Sequence, residues 1–371
     1  MQKKLVIKIG SSTLTKASNA INFEFILSLS SQINELRNMG YSPIIVTSAA
    51  IACGLDALGI KERPSDMPSL QACASVGQNI LSAHYAKAFS RYNMLSSIVL
   101  LTRRETADRT TYLNARETLN KLCEFGVVPI INENDAISIE QIKFGDNDTL
   151  AALVACLVDA SELIVLSDIC GLYDKNPNLY KNAKLIKSVS EITPDILSGA
   201  GDAISTVGSG GMISKVVAAR TTMAANIPMT ICHGTQENVL LSVVNKEDID
   251  CTRFVPKNAC HEVNPKKLWI ALGNSTKGKL TVDEGACAAI IQHGASLLAV
   301  GVLSACGDFE EDDIVDVESP QHYVIARGKI AFSSDEVKLA LGKSSDYLAS
   351  NKLLSPLSNR PLIHRDDLVV F

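Results

Sequence analysis

The chain has 371 residues, 46% hydrophobic and 20% charged, so it is long enough for two domains with buried cores and too apolar to be intrinsically disordered. Residues 275–371 contain nine Lys or Arg and fourteen Asp or Glu, which places the whole net charge of −5 there and argues against nucleic-acid binding. The longest apolar runs, such as 150–158, are shorter than the ~20 residues of a bilayer span, and the start of the chain lacks the apolar stretch of a secretory signal, so we expect a cytoplasmic protein.

Taken in chain order, short apolar runs rich in β-branched residues predict strands, and segments of helical periodicity separate them. The predicted strands are 4–9, 42–47, 96–101, 127–132, 162–168 and 228–232, and the predicted helices are 23–38, 69–90, 111–125, 148–158 and 214–226. This alternation favours an α/β fold with three layers, in which helices cover both faces of a mainly parallel sheet.

Short strands and glycine turns dominate from about residue 275 onwards, which predicts a second domain that is small and mostly β. We therefore place the domains at 1–255 and 275–371, with a linker at 256–274. The ten cysteines include no C-x-x-C pair and the six histidines show no metal-ligand spacing, so we expect reduced cysteines and no metal site formed by the protein.

A lysine interrupts the first predicted strand near its carboxyl end. Lys8 is followed at once by the turn Gly10-Ser11-Ser12. At this end of an open α/β sheet a side chain can enter the crevice where ligands bind, and the turn amides can donate to a phosphate. A lysine that simply reaches solvent fits the same residues equally well.

The second strand ends in a similar way, with Thr47 and Ser48 before a run of small residues. Ser48 fits two roles: the N-cap of a helix, or a donor to a substrate carboxylate at the helix N-terminus. The sequence leaves both open.

Two groups of Asn and Asp follow the fourth strand. The segment 132–136 reads NENDA, and Asp146, Asn147 and Asp148 precede an apolar helix. Helix capping uses one or two such residues, and this density exceeds it. The groups can bind an ammonium, hold a magnesium phosphate through water or orient a catalytic lysine.

Two later segments complete the set of candidate sites. Ser167 and Asp168 end the fifth strand, and Tyr173 in the loop beyond can pack against an adenine or belong to an ordinary connection. The glycine-rich segment 208–211 leads into a helix with Lys215 in its first turn. A cation there opposes the helix dipole, which predicts an anion close by.

Six segments together resemble the amino acid kinase family in their order and spacing. They are KIGSS (8–12), VTSAAIA (46–52), INENDA (131–136), GDNDTLAA (145–152), LSDICGLYDKNP (166–177) and GSGGMISK (208–215). The resemblance covers nearly the whole chain, because residues 275–350 also look like a PUA domain. It implies the three-layer amino acid kinase fold and ATP-dependent phosphorylation of the γ-carboxylate of L-glutamate, the first step of proline biosynthesis.

The resemblance also implies roles for individual residues. It assigns Lys8, Lys215 and Asp148 to catalysis, with the lysines on the transferred phosphoryl group and Asp148 organising them. It assigns Ser48, Asp135 and Asn147 to glutamate binding. The nucleotide-binding positions it implies are Lys8, Ser167, Asp168, Ser209, Gly210, Gly211, Met212, Ile213, Ser214 and Lys215. Mg²⁺ is expected with ATP, held mainly by phosphates and water.

The chain departs from the family pattern in two turns. Ala49 stands where the family usually has glycine after the serine, which adds a methyl group close to the substrate and can change glutamate affinity. Asp312 and Asp313 stand where the PUA pattern usually has Gly followed by an acidic residue. This acidic turn weakens an RNA-binding role.

Other functions are compatible with parts of the sequence. Family members that act on carbamate, aspartate, acetylglutamate or uridylate are alternatives within the fold, and so is a non-catalytic regulator that retains it. A PUA-type RNA-binding protein is an alternative from a different class. The expected partners are glutamate and ATP, with proline as a feedback inhibitor and glutamyl phosphate reductase as a recipient of the labile product. A homo-oligomer is also expected.

Overall fold

The computed structural model describes residues 3–16, 18–102, 109–137, 147–177, 179–193, 196, 211–256, 276–321, 323–351, 354–358 and 360–370. They form two compact units, one within residues 1–259 and one within 260–371. The predicted linker at 256–274 lies almost wholly outside the described residues, so the domain bounds of 1–255 and 275–371 remain a prediction.

The first unit is built on a mainly parallel sheet. Its described strands are β1 (Lys3–Ile9), β2 (Tyr41–Val46), β3 (Ser96–Leu101), β4 (Val128–Glu133), β5 (Glu162–Ser167), β6 (Ser188–Val189), β7 (Met229–His233) and β8 (Cys251–Phe254). They pair in the order β3-β4-β2-β1-β5-β7-β8-β6, and only β7 and β8 run antiparallel to each other. The inner strands are buried almost throughout, which explains why they read as continuous apolar runs.

Helices pack around this sheet. They are α1 (Ser11–Leu14), α2 (Phe23–Asn38), α3 (Ala50–Ala57), α4 (Met67–Ser90), α5 (Arg109–Glu124), α6 (Asn147–Leu157), α7 (Met212–Ala224) and α8 (Val239–Val244). Side-chain caps define the starts of α2 and α4. Asn22 accepts from the backbone N–H of Phe25, and Asp66 accepts from that of Ser69.

The α/β fold predicted from the sequence is confirmed. All the predicted strands and helices of the first unit are present, and their ends differ from the prediction by no more than two residues. Strands β6 and β8 were not predicted, because two and four residues are too few to show a periodicity.

Strand β1 occupies the middle of the sheet and sets the position of Lys8. Lys8 is in register with Val46 on β2 and with Val165 on β5. Since all three strands are parallel, their carboxyl ends lie together at one edge of the sheet. The residues that follow them, including Thr47 and Ser48, therefore meet at this edge.

Helices α3 and α4 touch through their backbones at two glycines. A Cβ atom at Gly54 would lie 1.9 Å from the carbonyl oxygen of Cys73, and one at Gly77 would lie 1.8 Å from that of Ala50. Any side chain at either position would force the helices apart. The start of α3, beside Ser48, is thus held directly against α4.

Ala49 has a left-handed backbone at the N-cap of α3, with φ of 76° and ψ of 9°. Alanine rarely adopts this conformation, because its Cβ meets the neighbouring carbonyl. This is the position where the amino acid kinase pattern usually has glycine. The left-handed backbone at Ala49 is one that glycine adopts readily, so the alanine adds local strain.

We expect Ala49→Gly to raise the free energy of unfolding by about 1 kcal/mol, because glycine relieves the left-handed strain but loses more chain entropy on folding. Urea unfolding measures the change. Ala52→Gly within the same helix is the matched control and should destabilise the protein. If both substitutions destabilise equally, Ala49 is not strained.

The second unit has its own small, mostly antiparallel sheet. Its described strands are β9 (Gly278–Val282), β10 (Val302–Gly307), β11 (Ile314–Glu318), β12 (Val324–Lys329) and β13 (Leu368–Val370), in the order β10-β9-β11-β12-β13. Its helices are α9 (Glu284–His293), α10 (Ser334–Ala340), α11 (Ser345–Ser350) and α12 (Ser355–Ser358). Asp312 in the acidic turn has a left-handed backbone, with φ of 76°.

Across the described parts of both units, no helix is long and apolar enough to cross a membrane.

Candidate active site

Two lysines and one aspartate form a buried charge cluster at the carboxyl edge of the large sheet. The Nζ atom of Lys8 lies 2.5 Å from Oδ1 of Asp148, and that of Lys215 lies 3.1 Å from Oδ2 of the same carboxylate. Lys8 is 5% exposed, Lys215 is 6% exposed and Asp148 is fully buried. The sequence left two roles open for Lys8. Its burial excludes the one in which the side chain points into solvent.

The three residues come from three different elements. Lys8 lies near the end of β1, Asp148 is the second residue of α6 and Lys215 lies in the first turn of α7. The two lysines approach Asp148 from different elements, and each oxygen of its carboxylate contacts one ammonium group. The three side chains carry two positive charges and one negative charge, and fixed cations in a site of low dielectric can stabilise an anionic ligand.

The start of α7 is bound to the same carboxylate. The hydroxyl of Ser214 donates to Oδ2 of Asp148 at 3.1 Å and to the carbonyl oxygen of Gly211 at 2.7 Å. Met212 begins the helix and is largely buried, whereas Ile213 is 40% exposed. Ser209 and Gly210, which the sequence also predicts to bind nucleotide, lie outside the described residues.

The side-chain amide of Asn147 links the loop that follows β2 to strand β4. Its Nδ2 donates to the backbone oxygen of Thr47, to Oγ of Ser48 at 3.1 Å and to Oδ1 of Asn132 at 2.9 Å. Ser48 is not a helix cap, since Ala49 occupies the N-cap of α3. Ser48 and Asn147, both predicted site residues, are thus brought together beside Asp148.

Asp135 lies in the turn that follows β4. Among the described residues no hydrogen bond joins it to Ser48 or Asn147, and it is partly exposed. Burial of its carboxyl group raises its pKa to about 6, although the nearby positive charge of Arg63 lowers it. An ionised carboxylate that is only partly solvated suits the binding of an ammonium group.

Ser167 and Asp168 lie at the end of β5, which flanks β1 on the side opposite to β2. The hydroxyl of Ser167 donates to Oδ1 of Asp168 at 3.1 Å, and its backbone oxygen accepts from Gly234 at 2.8 Å. The amide of Gly10 donates to Leu166 at 3.3 Å, which fixes the turn after Lys8 against β5. Tyr173, in the following loop, pairs with Leu185 in a short β-bridge, as expected of an ordinary connection.

Three residues at this site were not predicted individually. Asn132 belongs to the predicted Asn/Asp group but was not among the site residues, and Gln78 and Tyr85 of α4 gave no signal. Gln78 accepts from Nδ2 of Asn132 at 2.7 Å, and the hydroxyl of Tyr85 lies 2.9 Å from Oγ1 of Thr47. In a sequence, polar residues of a long helix that contact a site look the same as polar residues that face solvent or cap a helix.

The donor set suits a magnesium ion that arrives with a nucleotide. Within the described parts of the chain, no group of three or more His, Cys, Asp or Glu side chains is placed to hold a metal ion. The carboxylate at the centre, Asp148, already contacts both lysines. Phosphate oxygens and water are therefore the principal ligands that such an ion would find here.

Comparison with known proteins agrees with this architecture. The model of the amino acid kinase family matches residues 3–233, and that of the PUA domain matches residues 278–349. The chain belongs to the amino acid kinase family.

Its relatives within that family include the glutamate 5-kinase of Thermoanaerobacter sp. (strain X514), 42% identical over 99% of this chain and 97% of the relative. Glutamate 5-kinase 1 of Bacillus subtilis (strain 168) is 39% identical over 99% of this chain and 98% of the relative. Among solved structures, the UMP kinase of Ureaplasma parvum is similar with a TM-score of 0.49 at 16% identity, over 69% of this chain and 99% of that one.

Proposed function

We propose that the protein is a glutamate 5-kinase, which transfers the γ-phosphoryl group of ATP to the γ-carboxylate of L-glutamate. A carboxylate oxygen of glutamate forms a bond to the γ-phosphorus while the bond from that phosphorus to the β–γ bridging oxygen breaks. The products are L-glutamyl 5-phosphate and ADP. The curated relatives that match the whole chain carry this activity in their names.

The observation that carries the proposal is the pair of buried lysines on one carboxylate. Negative charge shifts onto the leaving group and the phosphoryl oxygens as the bond breaks, and fixed cations stabilise it without reorganisation. The nucleophile needs no general base, because a glutamate carboxylate with a pKa of about 4.3 is ionised at neutral pH. Two fixed lysines are therefore sufficient for this chemistry.

Each substrate has its own side of the cluster in this proposal. Ser48, Asn147 and Asp135 bind glutamate, and Asp135 pairs with its ammonium group. Ser167, Asp168 and the segment 209–215 bind the nucleotide. Magnesium bound to ATP supplies charge neutralisation of the phosphates, while Lys8 and Lys215 contact the group in transit and Asp148 keeps both lysines in place.

A trapping assay tests the function directly. The full-length protein is incubated with Mg-ATP, one acceptor and hydroxylamine, which converts an acyl phosphate into a hydroxamate whose ferric complex is coloured. We expect hydroxamate and ADP with glutamate, and neither with aspartate, acetylglutamate or carbamate. Glutamate-independent ADP release, or a product from another acceptor, would assign the chain a different acceptor within the family.

Glutamate binding should weaken in acid because of Asp135. Only the ionised carboxylate attracts the ammonium group, and its pKa of about 6 is raised by burial. Lowering the pH from 7 to 5 should raise the KM for glutamate by about tenfold, since one pH unit below a pKa leaves roughly a tenth of the group ionised. Initial rates at saturating ATP measure the change. Asp135→Asn should show a high KM that stays flat over this range.

Charge pairing in the second unit argues against RNA as its ligand. Lys279 lies 2.6 Å from Glu318, Arg327 lies 2.8 Å from Asp316 and Lys329 lies 2.6 Å from Asp312. Each of these cations has an acidic partner within the domain, which reduces the positive charge that the domain presents to phosphates. Retention of RNA on a filter at physiological salt would overturn this assignment.

The remaining expected partners are extensions of the proposed function. Proline, as the end product of the pathway, is a candidate inhibitor that competes near the glutamate site. The acyl phosphate is labile, so a reductase that consumes it is the second candidate partner, and we retain the expectation of a homo-oligomer.

A further inference from the structure

Helix α4 packs against the candidate glutamate site and contacts its loops at three points. Gly77 touches the backbone oxygen of Ala50, Gln78 accepts from Asn132, and Tyr85 meets Thr47. Positions 77, 78 and 85 fall on one side of the helix, because residues seven and eight apart are about two turns apart. One face of α4 thus supports both the loop after β2 and the end of β4.

The bond from Asn132 to Gln78 fixes which way two amides face. Asn132 is 1% exposed, and its Nδ2 donates to Oε1 of Gln78 at 2.7 Å. Its Oδ1 must then point the other way, where it accepts from Nδ2 of Asn147 at 2.9 Å. Since an amide is planar, the Oδ1 of Asn147 is turned away from Asn132, Thr47 and Ser48. An acceptor in that orientation can receive a hydrogen bond from the substrate ammonium.

Tyr85 holds the loop that follows β2 through its contact with Thr47. Its side chain is fully buried, and its hydroxyl lies 2.9 Å from Oγ1 of Thr47. Burial raises the pKa of this phenol, so the hydroxyl stays protonated. The amide of Thr47 also donates to Ile131 at 2.8 Å, and its backbone oxygen accepts from Asn147. Contacts from three elements therefore hold the segment next to the left-handed Ala49.

We propose that Gln78 and Tyr85 are positioning residues for glutamate: through Asn132 and Thr47 they hold the amide of Asn147 and the Ser48 loop in the orientation that binds the substrate. The inference rests on the proposed function and extends it to two residues of α4 that contact the site residues but not the charge cluster.

Gln78 has a feature that separates this role from a purely structural one. Its Nε2 is buried and has no hydrogen-bond partner among the residues that the structure describes. A buried donor without a partner costs free energy on folding, so this amide is poorly placed to serve stability alone. Removing it should affect binding more than folding.

The test compares Gln78→Met, which keeps length and removes both polar atoms, with Gln71→Met on the same helix. The described hydrogen bond of Gln71 is the one that its backbone oxygen accepts from Ser75, so its substitution should change little. We expect Gln78→Met to raise the KM for glutamate by about tenfold, in the range expected when a buried hydrogen-bond partner is lost. The KM for ATP and the melting temperature should stay close to those of the wild type.

Tyr85→Phe removes only the hydroxyl and should raise the KM for glutamate by about fivefold, the effect of a typical neutral hydrogen bond. Tyr92→Phe, at a tyrosine that is 38% exposed, is its control. In an Asn132→Ala background, Gln78→Met should have no further effect, because Gln78 acts through Asn132.

Three results would overturn the proposal: an unchanged KM for glutamate in Gln78→Met, equal losses for ATP and glutamate together with a lower melting temperature, or full additivity with Asn132→Ala. Failure of the proposed function is distinguishable, because then the wild type itself would form no glutamyl hydroxamate.

Discussion

Lys215→Ala should lower the turnover number by about 10²–10³, the loss typical of removing one fixed group that stabilises transition-state charge. The KM for glutamate should change by less than about twofold, because the interaction of Lys215 develops with the transferred phosphoryl group and not with the acceptor. Lys8 and Asp148 remain as a neutral pair in this variant, so the fold around them is preserved. Steady-state rates with each substrate varied in turn measure the two effects.

The matched control is Lys187→Ala, which removes a lysine of a surface pair with Asp248. Its side chain is 58% exposed, so its ion pair contributes little and the turnover number should not change. An unchanged turnover number in Lys215→Ala would remove this lysine from the mechanism, and equal losses in both variants would point to a general effect of charge.

Asp148→Asn should be as damaging to turnover, by about 10²–10³, and should also destabilise the fold. The amide keeps the shape of the carboxylate but removes the negative charge that both buried lysines contact, and breaking a buried ion pair in this way costs about 3–5 kcal/mol. Because Mg-ATP brings negative charge to the same place, we expect it to raise the melting temperature of this variant by more than that of the wild type.

Thermal unfolding with and without Mg-ATP measures this second expectation. Asp248→Asn is the control, since its carboxylate is 88% exposed and binds a single surface lysine. A variant that melts like the wild type and responds equally to Mg-ATP would show that Asp148 does not neutralise the two lysines.

The resemblance to the amino acid kinase family assigned the residues of the charge cluster, and each of them also stands out from its local sequence pattern. Lys8 breaks an apolar strand, Asp148 begins an apolar helix and Lys215 opposes a helix dipole. Parallel strands bring their carboxyl ends to one edge, so residues far apart in the chain were expected together. The distances show that Lys8 and Lys215 both contact Asp148, and the catalytic roles of the three residues stay a prediction.

The supporting contacts could not be predicted, for physical reasons that differ from residue to residue. Ser48 fitted both a cap and a ligand until the left-handed Ala49 placed the helix start one residue later. Gln78 and Tyr85 lie on a helix whose periodicity reports burial and not hydrogen bonding. The antiparallel strand β8 is too short for a periodic pattern of hydrophobic residues to be detected in the sequence.

The central position of β1 has a consequence for biosynthesis. β1 precedes the other described strands of its sheet in the chain, and its two edges are filled at different times during synthesis, by β2 early and by β5 much later. A chain that stops after β4 would expose the second edge of an apolar strand, which is a template for aggregation. We therefore expect catalytic competence to arise in a single late step, and prematurely ended chains to be substrates for chaperones and proteases instead of partly active kinases.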